Sequence, residues 1–371
     1  VAVYLLFQES VIAQGGIINN RFIAQKEVQM RWIIMCACLL LSGCVEPGAY
    51  FSPVFKQENS NRLVSMLEQG ATDALEVLYC GKLVASSGAV KVKTNVASVR
   101  KSLISGLFGI AIEKGFIDPE STLKELGIEE RSAPLTPMES SATVLDLLKA
   151  RSGVYLPSIG ESRGMKERRP VRGSSSPGEA FYYNNWDFNV LGAIFEKETG
   201  LEIGTAFYEW IAMPLGMQDF LPSDVRYQEE AYTDHRMYRF YMSARDLARF
   251  GALYVNEGSW QGAQIIPSYW IDQTLTKYSE VPYASDVDGY GYLWWIDTEE
   301  GRYWAEGSGG QYLMIDPVQQ LVMVTLNDRD LKLFNLRLHN PTVAAATFEE
   351  VDDIWNEVLG GVFPSSSDVT K

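Results

Sequence analysis

A serine and a lysine three residues apart, Ser98 and Lys101, stand at the head of the apolar run Leu103-Ile104-Ser105-Gly106-Leu107-Phe108-Gly109-Ile110-Ala111. On a helix this spacing puts both side chains on one face, a turn apart. A serine hydroxyl is a weak nucleophile until a base takes its proton. A lysine amine becomes such a base when burial or a neighbouring cation disfavours its charge. The start of a helix adds backbone N–H groups and the positive end of its dipole, where a developing oxyanion is stabilised. Ser98 and Lys101 are therefore the candidate nucleophile and base of an acyl transfer. Spacing alone does not decide the matter. A serine that caps a buried helix, with a lysine snorkelling from it, gives the same pattern. Ser121-Thr122-Leu123-Lys124 repeats it inside a charged stretch that reads as a solvated helix start.

Two further stretches carry groups of the right type. In Pro177-Gly178-Glu179-Ala180-Phe181-Tyr182-Tyr183-Asn184-Asn185, Tyr183 precedes Asn185 by two on the loop before a helix. A phenol beside an ammonium has a lowered pKa and can relay a proton, while an amide can orient the lysine or a substrate. Tyr254-Val255-Asn256 repeats these types at a helix end, so packing is the competing reading. In Glu306-Gly307-Ser308-Gly309-Gly310-Gln311, the glycines let backbone N–H groups approach a ligand, and the N–H of Ser308 is a candidate second oxyanion donor. A tight hairpin turn uses the same glycines. No helix pattern follows, which argues against a phosphate loop.

The elements that must position these groups follow from periodicity and punctuation. Glu58 to Gln69 reads as an amphipathic helix closed by Gly70. Leu75 to Tyr79 and Lys82 to Ser86 read as a hairpin around Gly81. The Ser98 helix runs to about Lys114. Residues 118–290 are mostly helical in pattern, with helices at Thr143 to Ala150, Phe188 to Thr199 and from Ser243 to Glu257. Ser158 to Gly178 is an expected exposed loop. After Gly289 the pattern changes to strands at Tyr292 to Thr298, Tyr303 to Glu306, Gln311 to Ile315 and Leu321 to Asn327, then a closing helix at Phe348 to Val358. Strands at both ends with a helical insertion predict two lobes: residues 44–97 and 287–371 as an α/β lobe, and 98–286 as a mainly helical lobe carrying the nucleophile helix.

Composition narrows the chemistry. Of 371 residues, 46% are hydrophobic, enough for a large core, and the formal charge is −15. With no Lys/Arg block, such a chain is repelled by phosphate backbones, so nucleic acid is not an expected partner. The two histidines, His235 and His339, form no His-x-x-x-His pair and the cysteines no Cys-x-x-Cys pair. No metal or other cofactor is expected. Residues 30–43 resemble a bacterial lipoprotein signal: Met30-Arg31-Trp32, an apolar run from Ile33, then Leu41-Ser42-Gly43-Cys44. The run is too short to span a bilayer. Cys44 is the expected lipidation site and a bacterial envelope membrane the expected location, the outer membrane facing the periplasm. Residues 1–29 read as an upstream extension. Cys80, in an apolar run, reads as a buried strand residue with no disulfide partner. Nothing in the sequence sets an oligomeric state.

Taken in order, Ser98-Val99-Arg100-Lys101, Tyr183-Asn184-Asn185 with Leu191-Gly192, and Gly307-Ser308-Gly309 resemble the serine beta-lactamase and penicillin-recognising fold in its class C-like branch, which includes esterases and 6-aminohexanoate-oligomer hydrolases. The resemblance covers roughly residues 75 to 360. It implies an α/β fold with a five-stranded antiparallel sheet, helices on both faces and an inserted helical lobe, with the site between the lobes. It also implies that Ser98 forms an acyl-enzyme, that Lys101 and Tyr183 move protons, that Asn185 orients the site, and that the N–H groups of Ser98 and Ser308 hold the oxyanion. One departure stands out. Beta-lactamases of this fold usually open the third motif with lysine, and here that place falls to Gly307. General amide or ester hydrolysis is accordingly the expected activity, ahead of beta-lactam or D-Ala-type peptide cleavage. A non-catalytic binder of cell-wall fragments is the rival of another class. The basic stretch Arg163, Lys166, Arg168, Arg169 and Arg172 is a possible source of a replacement cation.

Overall fold

A computed structural model describes residues 49–70, 72–282, 287–328 and 346–362. The signal-like segment, Cys44 and residues 1–29 lie outside the described residues. Along the chain the first elements are β1 (Tyr50–Phe51), α1 (Gln57–Glu68), β2 (Ala74–Tyr79), β3 (Lys82–Gly88) and β4 (Thr94–Asn95). A single 3₁₀ turn, Ala97–Val99, leads into α2 (Arg100–Glu113). Then come α3 (Val144–Leu148), α4 (Arg163–Arg168), α5 (Asn185–Thr199), α6 (Ile203–Phe207), β5 (Val225–Gln228), β6 (Met237–Met242) and α7 (Ala244–Val255). The last stretch holds β7 (Ser259–Trp260), β8 (Ala263–Gln264), α8 (Ser268–Thr274), β9 (Ser279–Glu280), β10 (Gly289–Tyr290), β11 (Trp295–Asp297), β12 (Arg302–Gly307), β13 (Gln311–Asp316), β14 (Leu321–Leu326) and α9 (Phe348–Val362).

The main sheet is antiparallel in the order β1-β3-β2-β14-β13-β12-β11-β10-β9. Its five longer strands, β3, β2, β14, β13 and β12, are the expected five. The strand count is corrected upward by short strands at both edges, too short to show a period of two. Every residue of β13 and β14 is buried, as expected of strands covered on both faces. Register assigns the covers. Leu313 lies opposite Val324, and Ile315 opposite Val322, so all four share one face. A Cβ at Gly251 of α7 would run into Val322 and Leu313, so α7 lies tight on that face. Phe348, at the start of α9, packs on Trp304 and Tyr312, which belong to the opposite face. Sequence periodicity thus finds the layers: helix, sheet, helix.

Several expectations change. Cys80 is exposed, not buried: it forms the β2–β3 turn with Gly81, at φ +48° and +70°, the pair of positive values a tight hairpin needs. The middle of the chain holds a small sheet, β4-β6-β5, as well as helices. Ser121 to Lys124 lies in a turn region rather than starting a helix, with Thr122 bridged to Thr143. Ser158 to Gly178 is not wholly an exposed loop. It contains α4, capped by the Ser162 hydroxyl, and buries Ile159 and Met165. The strand expected from Tyr292 shortens to β11, because Leu293 adopts φ +67°.

The pivot is α2. Every residue from Arg100 to Ala111 is buried, so it is a central helix packed all round. Two glycines permit this. A Cβ at Gly109 would overlap the indole of Trp270, and one at Gly106 would press on Ile266 and Phe250.

Candidate active site

Ser98 lies on the 3₁₀ turn immediately before α2, and Lys101 in the first turn of α2. The turn is strained at Ala97, whose φ is +50°. Asn95 holds it there, its side-chain oxygen accepting the Ala97 N–H at 3.0 Å. The Lys101 Nζ donates to Ser98 Oγ at 2.7 Å and to Tyr183 OH at 2.7 Å. It also lies 4.3 Å from the centre of the Tyr183 ring and 4.6 Å from that of Phe188. Lys101 is 2% exposed. Burial pushes its ammonium well below the ordinary lysine range, the Arg100 charge pushes the same way, and Glu306 opposes both. Arg100 is itself buried, donating to Asn189 Oδ1 at 2.9 Å and lying 4.3 Å over the Tyr238 ring. The second cation is therefore fixed beside the lysine.

Tyr183 is held by stacking on Trp295, with ring centres 5.1 Å apart, and by the capped start of α5. Asn184 is the cap. Its side-chain oxygen accepts the Trp186 N–H, and its Nδ2 donates to Val154 O at 2.6 Å and Asp187 Oδ1 at 2.9 Å. Asp187 accepts the Ser152 hydroxyl at 2.6 Å, and burial raises its carboxyl well above the usual carboxylate range. Asn185 is buried at the next position. Its Nδ2 reaches Ile159 O at 3.4 Å, and its Oδ1 has no hydrogen-bond partner among the described residues. That leaves a buried acceptor on the wall of the cleft.

The third motif follows β12. Gly309 and Gly310 take φ of +95° and +79°, turning the chain into β13. Gln311 Nε2 ties this turn down by donating to Gly309 O at 3.1 Å and Asn327 O at 2.8 Å. Gly307 faces the nucleophile turn: a Cβ there would overlap the carbonyl oxygen of Val96 and come within 3.2 Å of the Ala97 Cβ. A side chain at this position would therefore force the nucleophile turn to shift. The residues that β12 sends toward the cleft are Trp304 and, next to Gly307, Glu306.

These pieces meet in one cleft of about 470 Å³, with Ser98, Tyr183, Asn185 and Ser308 in its wall. Two parts of that wall were not singled out in the sequence. One is the group of Glu306, Trp304 and Phe348. The other is α4, which contributes Met165 and its capping Ser162, together with Arg168 of the basic stretch. A sequence signal was present for the second, since Gly160-Glu161-Ser162-Arg163-Gly164 has the spacing of a nucleophile elbow. The fold denies it that role. No strand leads into Ser162, whose hydroxyl accepts the Met165 N–H at 3.2 Å as a helix cap.

Comparison with known proteins bears on the fold and the family. The 6-aminohexanoate-dimer hydrolase of Paenarthrobacter ureafaciens is 26% identical over 297 residues, covering 71% of this chain and 74% of the relative. A penicillin-binding protein homologue from Pyrococcus abyssi, an octamer, superposes with a TM-score of 0.55 at 18% identity, over 77% of this chain and 78% of the other. A beta-lactamase from Mycobacterium bovis gives 0.53 at 20% identity, over 79% and 99%. The profile of the Beta-lactamase family matches residues 68–347, three quarters of the sequence and all three motif regions, and on that match the chain belongs to the Beta-lactamase family.

Proposed function

We propose that the protein is a serine hydrolase that cleaves small amides or esters through an acyl-enzyme on Ser98. The observation that carries this reading is the buried lysine 2.7 Å from both the serine and the tyrosine oxygens. With Lys101 neutral, its amine accepts the Ser98 proton as Oγ attacks the substrate carbonyl. The N–H groups of Ser98 and Ser308, the latter set by the Gly307 and Gly309 backbone, hold the oxyanion. Tyr183 passes the proton from Lys101 to the departing amine or alcohol as the C–N or C–O bond breaks. Water then attacks the acyl carbon, giving its proton back along the same path, and Ser98 is regenerated. Asn185 Oδ1 orients the substrate by accepting a hydrogen bond. The relative named for a 6-aminohexanoate dimer supports an amide as the scissile bond. We further place the protein at a bacterial envelope membrane, lipid-anchored through Cys44 of the Leu41-Ser42-Gly43-Cys44 box, with the outer membrane facing the periplasm as the site.

The test is intact-mass analysis after a fluorophosphonate probe, with p-nitrophenyl butyrate and nitrocefin as substrates. One adduct is expected on the wild type and on Ser121→Ala and Ser162→Ala, and none on Ser98→Ala. An adduct that survives Ser98→Ala removes Ser98 as nucleophile. Absence of any adduct or turnover returns the chain to the non-catalytic class. Butyrate is expected to outpace nitrocefin in kcat/KM, because a beta-lactam brings a carboxylate to a wall that offers Glu306.

A further inference from the structure

The acyl transfer proposed above leaves Glu306 without a part, yet the fold builds a frame around it. Along β12, Glu306 shares a face with Trp304 two residues before it, and Tyr312 stands opposite it on β13. Phe348 packs against both rings, with centres 5.2 Å from Trp304 and 6.2 Å from Tyr312. Glu306, Trp304 and Phe348 all line the cleft. A carboxylate set among aromatic faces is the chemistry that recognises an organic cation, through charge pairing and ring quadrupoles together. The position fixes the range. Glu306 is two residues from Ser308, about 7 Å along the strand, so the recognised charge lies a few bonds from the carbonyl that Ser98 attacks. Arg168, a cation of the same wall, stands exposed on α4, where solvent weakens its hold on an anion.

We propose that Glu306 with Trp304 and Phe348 forms a cation subsite, so that the enzyme selects amides and esters bearing an ammonium a few bonds from the scissile carbonyl. This rests on the serine-hydrolase reading. The test uses the full chain and three p-nitroanilides of matched length: 6-aminohexanoyl (cationic), hexanoyl (neutral) and adipoyl (anionic). The expected order of kcat/KM is cationic, neutral, anionic. The cationic-to-anionic ratio is expected to fall by about tenfold or more in Glu306→Gln, roughly the effect of one partly buried charge. The ratio is read within one protein, so any change in Lys101 basicity cancels. Where an anilide turns over slowly, its power to slow fluorophosphonate labelling gives the corresponding ratio of apparent affinities, which is expected to fall in the same direction. Glu68→Gln, at an exposed position ending α1 and outside the cleft lining, removes one acidic charge and is expected to leave the ratio unchanged.

A ratio that stays put in labelled Glu306→Gln, or that Glu68→Gln moves equally, overturns the subsite. A wild type that prefers the adipoyl substrate does the same. Loss of all labelling and turnover in the wild type instead brings down the hydrolase reading, which the other outcomes leave standing.

Discussion

Lys101 serves two opposed ends. A protonated amine is the stable form of lysine in water, and the site needs the free amine, so the fold withholds water and sets Arg100 beside it. Two measurements follow. The acylation rate is expected to rise with pH along a single titration whose midpoint lies well below the ordinary lysine value of about 10.4, then level off. A rate flat across neutral and mildly alkaline pH, with Lys101→Ala still active, would remove lysine from the mechanism. The second is a stability effect whose sign can be worked out. The unfolded chain keeps the Lys101 proton up to the ordinary value, while the native chain gives it up lower. Between the two the unfolded state binds more protons, so this residue's burden on native stability is greatest at low pH and fades as pH rises toward the ordinary value. Lys101→Met is therefore expected to melt higher than wild type at neutral pH, with the gain shrinking toward pH 10, while acylation is lost. At this scale Ser98, Lys101 and Tyr183 were legible because each sits in a short string whose spacing has a chemical meaning. Glu306 was not: its role depends on which face of β12 points at the cleft, and Gly307 next to it drew the comparison with a lysine one residue off the side chain that matters.

The elements that carry those residues are packed to their limits, and glycines mark where. On α2, the side of Gly109 is filled by Trp270, whose indole N–H donates to Ser105 O at 2.9 Å. Gly109→Ala places a methyl inside that ring. Overpacking of this kind costs about 1–3 kcal/mol, and the better helix propensity of alanine returns about 1 kcal/mol. With the indole atoms of Trp270 2.3–2.8 Å from the added methyl the cost lies at the upper end, so a net loss of about 2 kcal/mol is expected by urea denaturation. Some loss of kcat should accompany it, because the same helix sets the Lys101 to Ser98 distance. A neutral or stabilised variant would show that α2 and α8 slide apart without cost. Long elements were readable from sequence, α2 and α5 as apolar runs with clear ends and α7 from its period, as were the five longer strands. What escaped were elements whose existence depends on distant partners: two- and three-residue edge strands, the β4-β6-β5 sheet, and α4, only six residues long and named by a serine cap rather than by a period.

At the scale of the whole molecule, the proposed membrane location needs an anchor that an acidic surface does not supply. A formal charge of −15 is repelled by anionic lipid headgroups, so adsorption through surface charge is unfavourable. Among the described residues no helix is long and apolar enough to cross a bilayer. The lipid proposed on Cys44 would hold the chain without either route. A single acyl chain binds only marginally, whereas the two or three chains of a processed lipoprotein cysteine hold stably. The behaviour on washing follows from the physics. Salt screens charge attraction within about 10 Å at 0.1 M but does not weaken burial of acyl chains. The wild type is therefore expected to stay with the membrane fraction through a high-salt wash and to be released by detergent. Cys44→Ser is expected in the supernatant with its esterase activity intact, since Ser98, Lys101, Tyr183, Asn185 and Ser308 all belong to the described residues from 49 onward. If Cys44→Ser stays in the pellet and still needs detergent for release, the anchor lies elsewhere in the chain.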